Sequence, residues 1–380
     1  MHAIDPIAIA IPVFLAAIWV EATVARRRGL RVYRFFDAIG DLSCGIGNQT
    51  VGLLIGLVSL AVYVWTFHYV KIVRFAPGSP WPWIIGFVGL DFLYYWWHRA
   101  SHTVNFLWAA HIVHHQSEDY NYAVALRQAW FTPFTSIFFY LPLAMFGVDQ
   151  EIFILSNSVS LLYQFWIHTE VIRRIDPFEW VLNTPSHHRV HHATNPEYLD
   201  KNYGGILIIW DRMFGTFEPE RAPCVYGITK PFASTNPVWA NFHYWAELFR
   251  HTGQVEGFGN KLATFFRPPG FDERLGRVVL PPFVPRESFQ KYAPPRPTRA
   301  LTTYVNVNFL LVAAAVMMLI LFHNAIPLGE VAIIVAVIVA TTVSWSALFE
   351  QRRWAWPFEA ARIAATLVVA VWVWHAAAAA

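Results

Sequence analysis

Two cysteines in 380 residues, Cys44 and Cys224, form no C-x-x-C pair and suggest neither a disulfide framework nor a thiolate metal cage. Charge is equally scarce. Asp, Glu, Lys and Arg make up 14% of the chain, against about 25% in a soluble domain. The net charge of +3 comes without a basic or acidic tail, so nucleic acid is not an expected partner. G-x-G-x-x-G, the Walker loop and H-E-x-x-H are all missing, so reducing equivalents must come from a separate molecule. No internal repeat is visible. The amino terminus lacks the positive stretch of a cleaved signal peptide, and its first apolar run is expected to remain as an anchor.

What the chain has instead is apolar length, with 56% hydrophobic residues. A bilayer-crossing helix needs about 20 mostly apolar residues. Residues 4–24, 50–70, 305–326 and 329–348 satisfy this, and 81–97 and 362–374 nearly do. Residues 130–146 and 152–167 lie close together and read as a hairpin that does not cross fully. Arg26, Arg27, Arg28, Arg31 and Arg34 follow the first run and are expected on the cytoplasmic side. Alternation from there puts every clustered histidine on that same face. The expected organisation is residues 1–80 as amino-terminal spans with a basic loop and 81–230 as the catalytic region. A Pro-rich cytoplasmic linker over 231–300 and carboxy-terminal spans over 301–380 complete it.

The sixteen histidines are not scattered. His98 and His102 are four apart, hence one turn apart on one helical face. His111, His114 and His115 repeat at i, i+3, i+4, and His188, His191 and His192 repeat that pattern, with His187 beside them. A lone histidine on an amphipathic helix is usually solvated or hydrogen-bonded in a core. Nine in three short boxes call for metal, since neutral imidazole binds zinc, copper, iron and nickel. His168, ending an aromatic-rich run, is a tenth candidate. His2, His68, His251, His323 and His375 read as incidental, and His243 stays open. Asp91 lies seven residues before His98, on the same helical face. An ionisable side chain inside a span is a functional candidate, either orienting His98 or ligating metal itself.

So many imidazoles exceed what structural or catalytic zinc requires. The Glu-x-x-His motif of soluble di-iron bundles is absent. Histidine-rich coordination at a membrane surface suits a non-haem di-iron site using O2. The fold expected is all-α and integral to the membrane, a multi-span helical bundle carrying a cytoplasmic-facing, histidine-rich di-iron helical domain. A transporter would place its ligands near the bilayer midplane in broken helices. A bis-histidine haem would leave most of these side chains unexplained.

The boxes H-x-x-x-H, H-x-x-H-H and H-x-x-H-H resemble the fatty acid hydroxylase/sterol desaturase superfamily, as do Asn202-Tyr203-Gly204, Trp210-Asp211 and Phe214-Gly215-Thr216-Phe217. Within it, three stretches resemble the alkylglycerol monooxygenase branch. They are Ser117-Glu118-Asp119-Tyr120-Asn121 with Ala125-Leu126-Arg127-Gln128, Gln164 to Glu170, and Leu182-Asn183-Thr184-Pro185-Ser186. That resemblance implies two iron ions held by the box histidines and His168, with tetrahydrobiopterin as reductant. It also implies O2-dependent cleavage of an ether lipid to a fatty aldehyde. Glu118 and Asp91 are then candidates for proton handling, and Asn202 and Tyr203 for the mouth of the site. One position departs: the branch tends to carry glutamate after the second histidine of the first box, where this chain has Thr103. If that carboxylate assists iron binding or proton delivery, Glu118, Asp119 or Glu170 must substitute for it, or the chemistry has shifted. Hydroxylation or desaturation of sterols, acyl chains or carotenoids is the neighbouring reading. It needs an external redox-protein donor, since no His-Pro-Gly-Gly cytochrome b5 signature is present.

Overall fold

The computed structural model describes residues 6–379, and His2 and the start of the 4–24 run lie outside them. Helix α1 spans Pro6–Arg27 and α2 Phe35–Tyr69. A helix rises 1.5 Å per residue, so the 35 residues of α2 reach about 52 Å, far beyond the roughly 30 Å of bilayer hydrocarbon. Its first half is polar and small (Asp37, Gly40, Asp41, Ser43, Asn48) and is buried by protein, while Val51 to Trp65 is apolar throughout except for Ser59.

The expected third span is broken. Helix α3 covers Trp81–Ile84, a π turn covers Ile85–Gly89, and α4 runs Leu90–Thr103. A π turn holds one extra residue and so rotates the side chains beyond it. Gly86, inside that turn, lies so close to the next layer that a Cβ there would sit 2.5 Å from Ile152. Val104, extended at φ −124° and ψ 119°, is the only link between α4 and α5 (Asn105–His115), and it folds the first histidine box against the second.

Short α6 (Tyr122–Ala125) leads to α7 (Thr132–Met145) and α8 (Gln150–Trp166). At about 21 and 25 Å, α7 and α8 are too short to cross a bilayer alone. Asp149 caps α8 by accepting from Ile152 N. The polar region then contributes α9 (Pro185–His191) and α10 (Ile209–Phe214). Last come α13 (Arg299–Phe322), α14 (Leu328–Phe349) and α15 (Ala355–Ala379), preceded by the elements described next. Among the described residues, four helices are long and apolar enough to cross a membrane: Phe35–Tyr69, Arg299–Ala325, Leu328–Phe349 and Ala355–His375.

The stretch expected to be a linker is more ordered than its proline content suggests. It holds α11 (Pro237–Gln254), α12 (Phe258–Thr264) and a two-stranded hairpin, β1 (Phe271–Asp272) with β2 (Arg277–Val278). Asn236 caps α11 by accepting from Val238 N and Trp239 N, with Pro237 in the first turn. That Asn-Pro pair was the signal in the sequence. Beyond the hairpin the chain straps back over the bundle, where Lys291 meets Asp119 and Tyr292 N donates to Glu118, both at 2.5 Å.

Two apolar cores flank α2. Val305, Val316, Val335, Ile338, Trp345 and Phe349 fill one against α13 and α14, and Tyr63, Leu90, Trp97, Ile137 and Leu143 fill the other against α4 and α7. Where α2 crosses the loop after α6, a Cβ on Gly45 would sit 2.4 Å from the Leu126 carbonyl oxygen. Backbone cannot yield as a flexible side chain would. Gly45→Ala is therefore expected to cost about 1–3 kcal/mol, read as a lowered thermal midpoint in detergent, whereas Gly52→Ala should be neutral or stabilising.

Candidate metal centre

The turn at Val104 and the docking of α9 bring the histidine boxes into two adjoining groups. His98, His102, His111, His115 and His191 form one, and His114, His168, His188 and His192 form the other. Within each group the candidate ligand atoms all lie within 4.8 Å of one another. The groups share a wall, where the His115 ring stacks on His192 at 4.4 Å and the His188 ring on His191 at 5.1 Å.

The rings are fixed by backbone carbonyls. Nδ1 of His98 lies 2.8 Å from the Tyr203 carbonyl and that of His114 lies 3.0 Å from Arg127. Nδ1 of His168 lies 2.7 Å from Gln164 and that of His191 lies 3.0 Å from Lys201. A carbonyl only accepts, so Nδ1 carries the proton in all four rings and Nε2 is left with a lone pair. The consequence shows between His114 and His168, whose two Nε2 atoms face each other at 3.2 Å. Both are acceptors, so no hydrogen bond can join them. Nε2 of His102 and of His191 are buried with no partner at all.

Only a cation makes such an arrangement favourable, and a proton is a poor one here. Burial holds the imidazoles of His111, His115, His188 and His192 well below their ordinary value, His114 at about 4 and His191 at about 3. A pocket of neutral, pre-oriented lone pairs fits metal. Neither group contains a thiolate or carboxylate among the described residues, a donor set that suits a first-row transition metal.

The surrounding polar network holds the carbonyls in place. Asp211 accepts from Tyr203 N at 2.8 Å, Gly204 N at 2.7 Å and the Thr216 hydroxyl at 2.7 Å, which fixes the peptide that His98 needs. Buried Arg127 donates to Asp41, the Val113 carbonyl and Gln116, tying α2 to α5 behind His114. Arg189, forked onto Glu220, donates also to the carbonyls of Thr169 and Ile172 and so clamps α9 beside His168. Tyr120 stacks on His168 at 5.6 Å. Sequence spacing finds the imidazoles, whereas these supports are set by loops and leave no periodic trace.

Several candidates stand elsewhere than expected. His187 joins neither group: its Nε2 lies 3.7 Å from Glu179, on the outer side of α9. Asp91 does not touch His98. It accepts from Ile206 N at 2.7 Å, Leu207 N at 3.1 Å and Trp210 Nε1 at 2.9 Å, pinning the loop that carries Tyr203. Asn202, at φ 56°, brackets the same loop, donating to the carbonyls of His187 and Glu218 and accepting from Glu218 N. The Tyr203 ring lies 5.3 Å from His102 and 5.9 Å from His191. Glu118, Asp119 and Glu170 are held by Tyr292 N, by Arg34 with Lys291, and by Arg286. None of the three approaches Thr103, whose hydroxyl donates to the Arg99 carbonyl.

A cavity of about 790 Å³ opens onto His102, His115 and His191 of the first group and His192 of the second, within the size range of small-ligand sites. Trp108, Ile112, Phe232 and Leu248 give it an apolar wall, and Asp200, Glu247 and Asp272 place carboxylates on it. Thr103, His243 and His251 also line it, so two histidines outside the boxes face the approach to the site.

The fatty acid hydroxylase family model matches residues 83–216, which contain both histidine groups, and it defines the class as an oxidoreductase of that type. The chain is 38% identical over 348 residues to the alkylglycerol monooxygenase of Homo sapiens, covering 90% of this chain and 77% of that one. With the alkylglycerol monooxygenase of Xenopus tropicalis it shares 40% identity over 282 residues, 74% of this chain and 63% of the relative. It thus spans a little under two thirds of that relative's length. The ornithine lipid hydroxylase OlsE of Rhizobium tropici is 30% identical over 182 residues, 47% of this chain and 53% of its own. No solved structure matches the chain. On this evidence the chain belongs to the alkylglycerol monooxygenase family.

Two outcomes follow from the geometry. His191→Ala is expected to lower the metal content of purified protein, measured by mass spectrometry, while His187→Ala should leave it unchanged. Metal-free protein should also lose stability on acidification. Above pH 6.5 neither state protonates these imidazoles; below it the unfolded chain takes up protons that the folded one refuses. Each such histidine then destabilises the fold by about 1.4 kcal/mol per pH unit until its own folded value is reached. The thermal midpoint of chelated protein should therefore fall as the pH is lowered from 7 to 5.

Proposed function

We propose that this protein is a di-iron, O2-dependent lipid monooxygenase that cleaves alkylglycerol ethers. The observation that carries the reading is the pair of adjoining imidazole groups with their Nε2 lone pairs turned inward. His98, His102, His111, His115 and His191 would hold one iron and His114, His168, His188 and His192 the other. When bound, the iron pair supplies O2 activation and C–H cleavage. The relatives named alkylglycerol monooxygenase support the substrate class.

The chain's own residues bind, orient and exclude water. The cavity receives the lipid so that the alkyl carbon beside the ether oxygen lies against His102 and His191. That oxygen weakens the neighbouring C–H bond by stabilising the developing radical, which selects the position. One oxygen atom of O2 enters that carbon, and the other leaves as water with two electrons and two protons. A tetrahydrobiopterin supplies the electrons. The product is a hemiacetal, and its collapse breaks the C–O bond to give a fatty aldehyde and a glycerol hydroxyl. Asp91 and Asn202 act as positioning residues through the loop that carries Tyr203, and Tyr203 shields the first imidazole group. Glu118 anchors the strap over residues 285–297.

The site is assigned to the cytoplasmic face. The arginine-rich segment after α1 packs at the histidine end of the bundle, with Arg28 donating to the Val171 carbonyl and Arg34 to Asp119. Arginine clusters of this kind stay on the cytoplasmic side.

The test is iron per purified chain, followed by O2-dependent aldehyde release from an alkylglycerol with and without reduced pterin. About two irons and pterin-dependent aldehyde are expected, as a two-metal site requires, and His191→Ala should abolish turnover. Two irons without pterin-dependent aldehyde would overturn the ether-lipid and reductant assignments. The likeness to an ornithine lipid hydroxylase makes hydroxylation of another polar lipid, with electrons from a redox protein, the reading to test next.

A further inference from the structure

The second half of the cavity wall is built from elements that are apolar on both sides. On their inner side, Leu248 of α11 and Phe271, Val278 and Leu280 of the hairpin region line the 790 Å³ cavity. On the outer side α11 exposes Phe242 and Phe249, which lie along one face at helical spacing, while exposed Trp239 stands at the cavity rim. Helix α12 does the same with Phe258, Leu262 and, just past its end, Phe266, at i, i+4 and i+8. These are 83%, 53% and 65% exposed. The two rows join, since Phe249 meets Phe265 at 5.6 Å and Trp245 meets both Phe249 and Phe106. Such a contiguous exposed apolar patch marks an interaction surface rather than scatter.

What covers it follows from where it begins. Phe242 of α11 packs edge-on against Phe131 at 5.4 Å, immediately before the apolar helix α7. Helix α7 exposes Phe134 and Phe138 on its own outer face. The patch is therefore continuous with the apolar outer surface of the bundle. Exposed Arg250, and Lys261 on α12, stand beside the aromatic row, the residue mixture of a helix lying in a membrane interface.

We propose that α11, α12 and the β hairpin are embedded in the interface of the leaflet on the histidine side, so that the cavity mouth opens into lipid and takes its substrate directly from that leaflet. The occupant of the patch is the leaflet itself. Substrate delivery rests on the lipid monooxygenase reading above, whereas the embedding does not. The wall between cavity and leaflet is one element thick, so an amphiphile can enter with its chain still in lipid and its polar end following into the cavity. Asp200, Glu247 and Asp272 offer acceptors to hydroxyls there.

The experiment uses the full chain in nanodiscs, with single cysteines carrying a nitroxide at Phe258, Leu262 or Phe266, and at Asn260 as the control. Native Cys44 and Cys224 are buried, and unlabelled parent protein checks that they stay unreacted. Relaxation by dissolved O2 is expected to exceed that by a water-soluble nickel chelate at the first three positions, with the order reversed at Asn260. Stronger relaxation by nickel at all four would overturn the proposal. So would dipolar broadening between labels, since a second copy would then cover the patch. Neither readout depends on any substrate. In a second arm, Phe258→Gln with Phe266→Gln should raise KM for a bilayer-embedded alkylglycerol by about tenfold, the scale of removing two partly buried aromatic contacts. Turnover of a short-chain, water-soluble alkylglycerol should not change. An equal loss on both substrates would overturn lateral entry.

Discussion

A backbone carbonyl accepting one imidazole N–H is the interaction on which this protein depends. It occurs at Tyr203, Arg127, Gln164 and Lys201, and each time it decides which ring nitrogen faces inward. The carbonyls come from three separate segments, the end of α8 and the loops holding Arg127 and Lys201 to Tyr203, so the centre is as well formed as those segments. This explains where the buried charge goes. Asp211, Asp91 and the Arg127–Asp41 pair all hold backbone or helix ends behind the imidazoles, and none turns toward the metal position. A buried ion pair rarely adds net stability. Here it fixes the depth at which α2 meets α5.

Much of the candidate centre's geometry was legible because side chains on helices have a period. His98 with His102, and His111 with His114 and His115, had to share faces whatever the tertiary fold. The third box reads the same way, although its helix is only seven residues long. His168 was readable as a candidate from its place after an aromatic run. It needed the structure to set its Nε2 3.0 Å from that of His188. His187 shows the limit of the method. It directly precedes His188 of the second imidazole group, but one residue is about 100° around a helix, and that rotation turns it toward Glu179.

The fold was legible in its long apolar runs and obscure where protein rather than lipid buries the chain. Composition could not separate α2's buried polar half from a loop, because Asp41 and Asn48 satisfy themselves against Arg127 and the Ala129 carbonyl only after folding. The π turn at Ile85–Gly89 is invisible to any single-period reading, since it interrupts the period itself. In α11, proline and charge suggested a linker, yet Asn236 and Pro237 initiate an 18-residue helix. The aromatic residues along it look like core in a sequence. In the structure Phe242 and Phe249 face outward, whereas Trp239 and Tyr244 line the cavity.

The length of α2 has one more consequence. About 30 Å of its 52 Å suffices to cross the hydrocarbon, leaving roughly 20 Å standing above it. The imidazole groups are fastened to that projecting part through Asp41 and Arg127, so the protein carries its reactive centre on a pedestal of fixed height. In a lipid lying in a leaflet, carbons differ chiefly in depth, and those near the glycerol sit highest. On the proposed reading, a centre held at that height would act as a depth gauge, choosing among near-identical methylenes by altitude and leaving chain length largely unread.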